Sequence, residues 1–541
     1  MTQSLDMSKA RIIEPVFDAR GNPEWRSRMS PPDDTFALCW MVPDRIIPVI
    51  FVPGVMGSNL KPKGKGERWR MDSKLSAAAW MTKGAKARKE SLQPAAMEVD
   101  RQGKVPTDMA LPAEELRRRG WGEIGAMSYG AALRWLGEHL NDYQTARTGL
   151  REQLRSRGLG ADTGESPLTE DEVRLSYRYR FPVHVCGYNW LDDNAASAQR
   201  LAQRIDEVIA RYRRDRKKCE KVILVTHSMG GLVARYCSEV LGYRDKIFGI
   251  VHGVMPAIGA AAVYRRMKAG TEGDWGAAQV LGADAAEVTA VMSSAPGPLQ
   301  LLPTPEYGNG WLQVKAGQQQ ISLPQHGDPY GEIYAVRGQW WSLCEDRLIN
   351  PLNEEKEPRR KMAQTDQDWA CYVRLIEKTV RPLHEQISGR YHPHTHAFCG
   401  DGTDHKAYGT VTWKSQHDRG QGLETWMGGN APLRAPVGAT TFDQSGDERT
   451  VRHPNARMTA RFSISDPDEP GDGTVPRRSG LAPKAHCRSF LRTPVDHEPA
   501  FNPENGQASL RALHFTVRAI VRIAQEVQHT GLMYEELRCG K

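Results

Sequence analysis

The sequence predicts an α/β fold organised on a mostly parallel sheet. Three observations predict it. Short apolar runs of buried-strand length recur along the chain, amphipathic helical stretches alternate with them, and one strand runs straight into a Ser-x-Gly-Gly turn that opens a helix. Strand, helix, strand, helix, strand in this rhythm builds right-handed crossovers and hence parallel pairing.

The elements follow in order. Residues 1–45 carry Pro, Gly and charge without clear periodicity and read as a peripheral N-terminal arm. The run IIPVIFVP at 46–53, closed by Gly54, has the β-branched content and length of a buried parallel strand. From 61 to about 178 the chain is polar and interrupted, with helical patches such as 129–140. A strand is expected at 182–188. A helix follows at 192–215, where Ala195, Ala198, Leu201, Ile205, Val208, Ile209 and Tyr212 fall on one stripe. Next come a strand at 221–226, a helix from Gly230 to about Leu241 and a strand at 247–252. Residues 255–390 read as mostly helix and loop. A strand is expected at 394–399, then a polar stretch rich in Gly and Pro to about 470, a strand near 486–491 and an amphipathic helix at 507–528. The reading is one domain over 46–541, with insertions at about 61–178 and 255–390 that form a large cap.

Bulk properties narrow the function classes. A net charge of +8 over 541 residues is small and argues against a dedicated nucleic-acid binder. No apolar run reaches the about 18 residues a membrane span needs. The start, MTQSLDMSKARIIEPVFDAR, lacks the apolar core of a signal peptide, and nine scattered cysteines do not form a disulfide framework. A cytoplasmic location in the producing cell is the expectation.

The segment KVILVTHSMGGLVARYCSEV carries the chemistry. A strand enters Thr226-His227-Ser228-Met229-Gly230 and a helix leaves it, the layout of a nucleophile elbow. Such a turn is strained, so residues two positions from the serine must be small. It lifts Oγ above the sheet and aims the Met229 amide and the helix N-terminus at one point. Gly230 and Gly231 meet the requirement, and Thr226 departs from the usual Gly. Ser228 is the expected nucleophile, and the fold class sharpens to an α/β-hydrolase with a cap. In that order of elements the acid and then a C-terminal histidine follow the serine. His486 lies in a strand, His514 in the last helix and His529 at its end. His497 lies in a loop between strand and helix, where an imidazole can reach back over the nucleophile. The acid has two candidates, because Gly-Asp-Gly-Thr occurs at 400–403 and again at 471–474. Asp401 directly follows a strand; Asp472 sits closer to His497.

At this point the chain resembles the lecithin:cholesterol acyltransferase and lysosomal phospholipase A branch of the α/β-hydrolases. The likeness rests on the stretch from Pro48 to Ser58, on Tyr188-Asn189-Trp190, on the elbow and on Val251-His252-Gly253-Val254-Met255-Pro256 with Gly259. It continues in Ser294-Ala295-Pro296-Gly297-Pro298 with Leu301-Leu302-Pro303, and in Gly471-Asp472-Gly473-Thr474-Val475-Pro476. The resemblance implies Asp472 as the acid, and the N–H groups of Val55 and Met229 as the oxyanion hole. It implies no cofactor, and acyl esters of membrane phospholipids as substrate. The overall character also resembles the antibacterial lipase effectors of type VI secretion. That resemblance implies an immunity protein, a contact with the secretion apparatus and delivery to another cell's periplasm.

Two further features invite a site. Lys61, Lys63, Lys65, Arg68 and Arg70 surround Trp69 just after the first strand, a composition that suits a membrane-facing loop, with Trp69, Lys63 and Arg68 as its contacts. His392, His394 and His396 precede Cys399, Asp401, Asp404 and His405 without a metal-ligand spacing, and read as a polar strand edge holding no metal. Two other functions fit the same residues: acyl transfer to an alcohol, and an inactive hydrolase fold used for binding.

Overall fold

A computed structural model describes residues 9–26, 35–39, 42–142, 149–156, 166–271, 282–415, 423–428, 447–452 and 458–534. Its centre is a six-stranded sheet of β1 (Val49–Val52), β2 (Val183–Val185), β3 (Val222–His227), β4 (Ile247–Gly253), β5 (Thr395–Gly400) and β6 (Cys487–Thr493). The spatial order is β6-β5-β4-β3-β1-β2, and every neighbouring pair is parallel. Each of these strands lies where the sequence predicts one.

A strand buried on both faces distributes alternate residues to opposite sides. In β1, Ile50 and Val52 join one apolar cluster and Val49 and Phe51 the other. In β3, Val222 and Leu224 part from Ile223 and Val225 in the same way. Helices cover both faces. α1 (Ala126–Leu140) and the last helix share the cluster of Val49 and Phe51, whereas α2 (Asn194–Arg214) buries Leu201, Ile205 and Val208 with Ile50. α3 (Gly230–Glu239) leaves the end of β3, α4 (Ala262–Ala269) follows β4, and α5 (Gln507–Ile523) closes the chain.

Much of the 61–178 segment flanks the sheet: Leu116, Trp121, Tyr129, Leu133 and Leu136 pack in the cluster of Val49 and Phe51. The second half holds an element the sequence did not predict. Strands at Leu312–Ala316, Gln319–Leu323, Val411–Ser415, Glu448–Arg452 and Thr459–Ile464 form a separate five-stranded mixed sheet. Leu312–Ala316 pairs in parallel with Val411–Ser415, far away in sequence. Leu312, Val314, Trp413, Val451 and Phe462 turn inward from it. Among the described residues no helix is long and apolar enough to cross a membrane.

Candidate active site

The site forms at the carboxyl edge of β1, β3, β4 and β5. Ser228 sits between β3 and α3 at φ +51°, a left-handed conformation that L-residues rarely adopt. Its N–H donates to the Gly253 carbonyl at the end of β4, at 2.9 Å. Gly230 is required here: a Cβ on it would lie 2.5 Å from the Val52 carbonyl oxygen and 2.6 Å from that of Pro53. Thr226 fits despite its branch, because its Oγ1 shares a 2.8 Å hydrogen bond with Nδ1 of His252 on β4.

His497 Nε2 lies 2.9 Å from Ser228 Oγ, and His497 Nδ1 lies 2.9 Å from Asp472 Oδ2. A carboxylate can only accept, so Nδ1 carries the proton and Nε2 faces the serine as an acceptor. Asp472 is almost fully buried. Its Oδ1 accepts the N–H groups of Thr474 at 3.0 Å and Val475 at 2.6 Å, and its own carbonyl accepts His497 N–H at 2.9 Å. The acid loop rests on the end of β5, where a Cβ on Gly400 would come within 2.4 Å of Asp472 Cβ. Asp401 directly follows that strand but is turned away, ion-paired with Arg477 and with Arg492 at 3.3 Å. The position just beyond the strand end therefore holds an acid, but one contributed by the later Gly-Asp-Gly-Thr.

Gly54 lies against Ser228: a Cβ there would be 3.0 Å from Ser228 Cβ. The chain turns at once, with Gly57 N–H on the Gly54 carbonyl and Met56 at φ +65°. Val55 and Met229 thus flank Ser228 from two elements, and among the described residues neither N–H has an acceptor within the protein. The whole arrangement is closed, for Ser228 is 3% exposed. The α4 side chain of Arg266 also reaches the acid loop, donating to Thr474 Oγ1 at 3.0 Å.

The membrane reading of Trp69 is corrected. Trp69 is fully buried, its ring centroid 5.1 Å from Trp80 and 4.9 Å from Trp190, and its Nε1 donates to the Met56 carbonyl at 3.1 Å. It braces the turn after Gly54 instead of facing lipid. Lys63 and Arg68 stay solvent-facing, the first on the Ala95 carbonyl and the second 3.6 Å from Asp100. The histidines there take separate partners: His396 Nδ1 pairs with Ser489 Oγ at 2.6 Å, His394 Nδ1 lies 3.3 Å from Glu526, and His392 Nδ1 accepts the His394 backbone N–H at 3.1 Å. In the sequence His227 stands only as the residue before Ser228, and nothing there marks Tyr129. Both lie beside Ser228 and His497, with Tyr129 Oη 2.8 Å from His227 Nδ1 and His227 Nε2 2.8 Å from the His497 carbonyl.

Comparison with known proteins bears on the fold that carries these residues. Residues 193–264, from α2 through the elbow into α4, match the PGAP1-like alpha/beta domain. A search of curated proteins finds no match. Among solved structures the chain is similar to one in the crystal structure of the Tle4–Tli4 complex, at 27% identity and a TM-score of 0.69. That alignment covers 88% of this chain and 98% of the other. Parallel sheet, strand–serine–helix turn and these matches together give the chain the α/β-hydrolase fold.

Proposed function

We propose that the chain is a serine esterase that cleaves acyl esters of membrane phospholipids, with phospholipase A regiochemistry. The observation that carries the reading is the line Asp472, His497, Ser228, joined by two 2.9 Å hydrogen bonds onto a serine held at φ +51°. In this reading His497 Nε2 takes the Ser228 proton as Oγ attacks the ester carbonyl. The oxyanion forms against the Val55 and Met229 N–H groups, and the alcohol leaves with the proton from His497. Water then hydrolyses the acyl-enzyme by the same steps. Asp472 holds the tautomer throughout, and the residues supply this chemistry without a cofactor.

The near-complete burial of Ser228 supports a lipid substrate, since the segments covering it must move to admit one and an interface favours apolar surface so exposed. The effector reading is supported by the likeness to a chain solved in a two-protein complex. On that reading the protein is exported to another cell's periplasm, and a separate immunity protein docks over the cap and prevents opening. Product analysis on a mixed phospholipid and triacylglycerol panel tests the proposal. Free fatty acid and lysophospholipid are expected. Acyl transfer to an added alcohol in place of hydrolysis would change the reaction class, and no turnover with no fluorophosphonate label on Ser228 would discard it.

A further inference from the structure

We propose that Tyr129 and His227 are positioning residues that tie the oxyanion strand end to the backbone of the base, an inference that rests on the esterase reading above. The geometry fixes the direction of every hydrogen bond in the tie. His227 Nε2 faces the His497 carbonyl, which can only accept, so Nε2 carries the proton. Burial pushes the His227 imidazole down to about 3, so the ring is neutral and Nδ1 is an acceptor. Tyr129 O–H must then donate to Nδ1, and burial raises the phenol so that it keeps its proton. The same oxygen accepts Gly54 N–H at 3.1 Å. One directed chain runs Gly54 N–H, Tyr129 O–H, His227 N–H, His497 carbonyl.

Both ends of this chain sit on groups the reaction needs in register. Gly54 immediately precedes Val55, whose N–H is an oxyanion donor in the proposed reaction. His497 has its backbone held at both ends, N–H by Asp472 and carbonyl by His227. The rings leave little slack: Tyr129 packs on Phe51 at 5.3 Å, and Phe501 packs on Phe51 at 5.4 Å and on His227 at 6.0 Å. A Cβ on Gly54 would meet His227 Nδ1 at 2.8 Å, so that residue must be glycine for the ring to lie there. Among the described residues neither side chain is hydrogen-bonded to Ser228 Oγ or to the His497 ring. Their effect is on where the oxyanion donor and the imidazole stand relative to Ser228.

The test uses the full-length chain, a soluble nitrophenyl ester and fluorophosphonate labelling, in Y129F, H227L, H227Q and the double variant Y129F/H227L. Y129F keeps the ring and deletes only the O–H. Y129F and H227L are each expected to lower kcat and the labelling rate about ten- to hundredfold, with KM changed less than about twofold. The double variant should be no slower than the worse single, because both cut one chain. H227Q, whose amide can still donate to the His497 carbonyl, should recover most of the loss. A folded Y129F with wild-type kcat, or losses that multiply in the double variant, would overturn the proposal. So would H227Q as slow as H227L at equal melting temperature. A wild-type chain that neither labels at Ser228 nor cleaves esters removes the esterase reading itself. An active wild type with unaffected Y129F removes only the positioning role.

Discussion

The chain contains Gly-Asp-Gly-Thr twice, and the two copies do different work. At 400–403 the carboxylate of Asp401 balances two arginines at the exit of β5. At 471–474 the carboxylate of Asp472 has no cation beside it among the described residues; it is held by two backbone N–H groups and the imidazole of His497. A salt bridge satisfies an acid but aims it nowhere, whereas a turn that fixes one oxygen with N–H donors leaves the other pointing in a set direction. The difference comes from which loop the topology lays across the end of β5, and not from the four residues themselves.

Mutation can break or sharpen this contrast. Ser228→Ala sets the floor, with a loss of roughly a millionfold in kcat. Asp472→Asn is expected to lower kcat by about 10⁴ with little change in melting temperature, because the amide imposes the wrong histidine tautomer. Steady-state kinetics on a soluble ester checks it, and a loss under tenfold would return the two loops to equal standing. A second contrast lies within the basic loop. Trp69→Ala should destabilise the fold by about 3–5 kcal/mol in denaturant unfolding, as expected for removing a large buried ring. The exposed cations beside it should behave otherwise. Lys63→Glu and Arg68→Glu should leave soluble-ester kinetics alone and lower activity on anionic vesicles about fivefold each at low salt, fading with added salt. The smallest effect belongs to the first Gly-Asp-Gly-Thr. Asp401→Asn should keep kcat within about twofold and cost about 1 kcal/mol of stability, since its arginine partners remain half in water.

What could be read in the sequence follows from how local the cause is. β1, β3 and β4 announce themselves as apolar runs because a strand buried on both faces needs every position apolar, and the elbow announces itself because its glycines answer contacts only a few residues away. The second sheet gave no such signal. Leu312–Ala316 alternates buried and half-buried residues inside a polar segment, and its partner Val411–Ser415 lies about a hundred residues on. Trp69 was misjudged for the same reason: its neighbours in sequence are Lys and Arg, but those in space are Trp80 and Trp190. Among basic residues a tryptophan has the composition of an interfacial anchor, and only the long-range packing tells otherwise. Tyr129 is the extreme case. It belongs to an ordinary amphipathic helix, and nothing in its surroundings along the chain marks the hydroxyl as the bridge between Gly54 and His227.

Four non-glycine residues among those described have a left-handed backbone, and three of them, Met56, Ser228 and Val254, follow the ends of the adjacent strands β1, β3 and β4. Such a conformation costs an L-residue about 1–2 kcal/mol, and most for a β-branched one such as Val254. Against a net stability of about 5–15 kcal/mol this is a considerable sacrifice gathered along one rim. Selection for thermal resistance alone would relax it, with glycine or asparagine at these three places. Libraries screened for heat tolerance should therefore accumulate changes at 56 and 254 that slow the proposed ester cleavage, and variants chosen for both traits should gain their robustness elsewhere in the molecule.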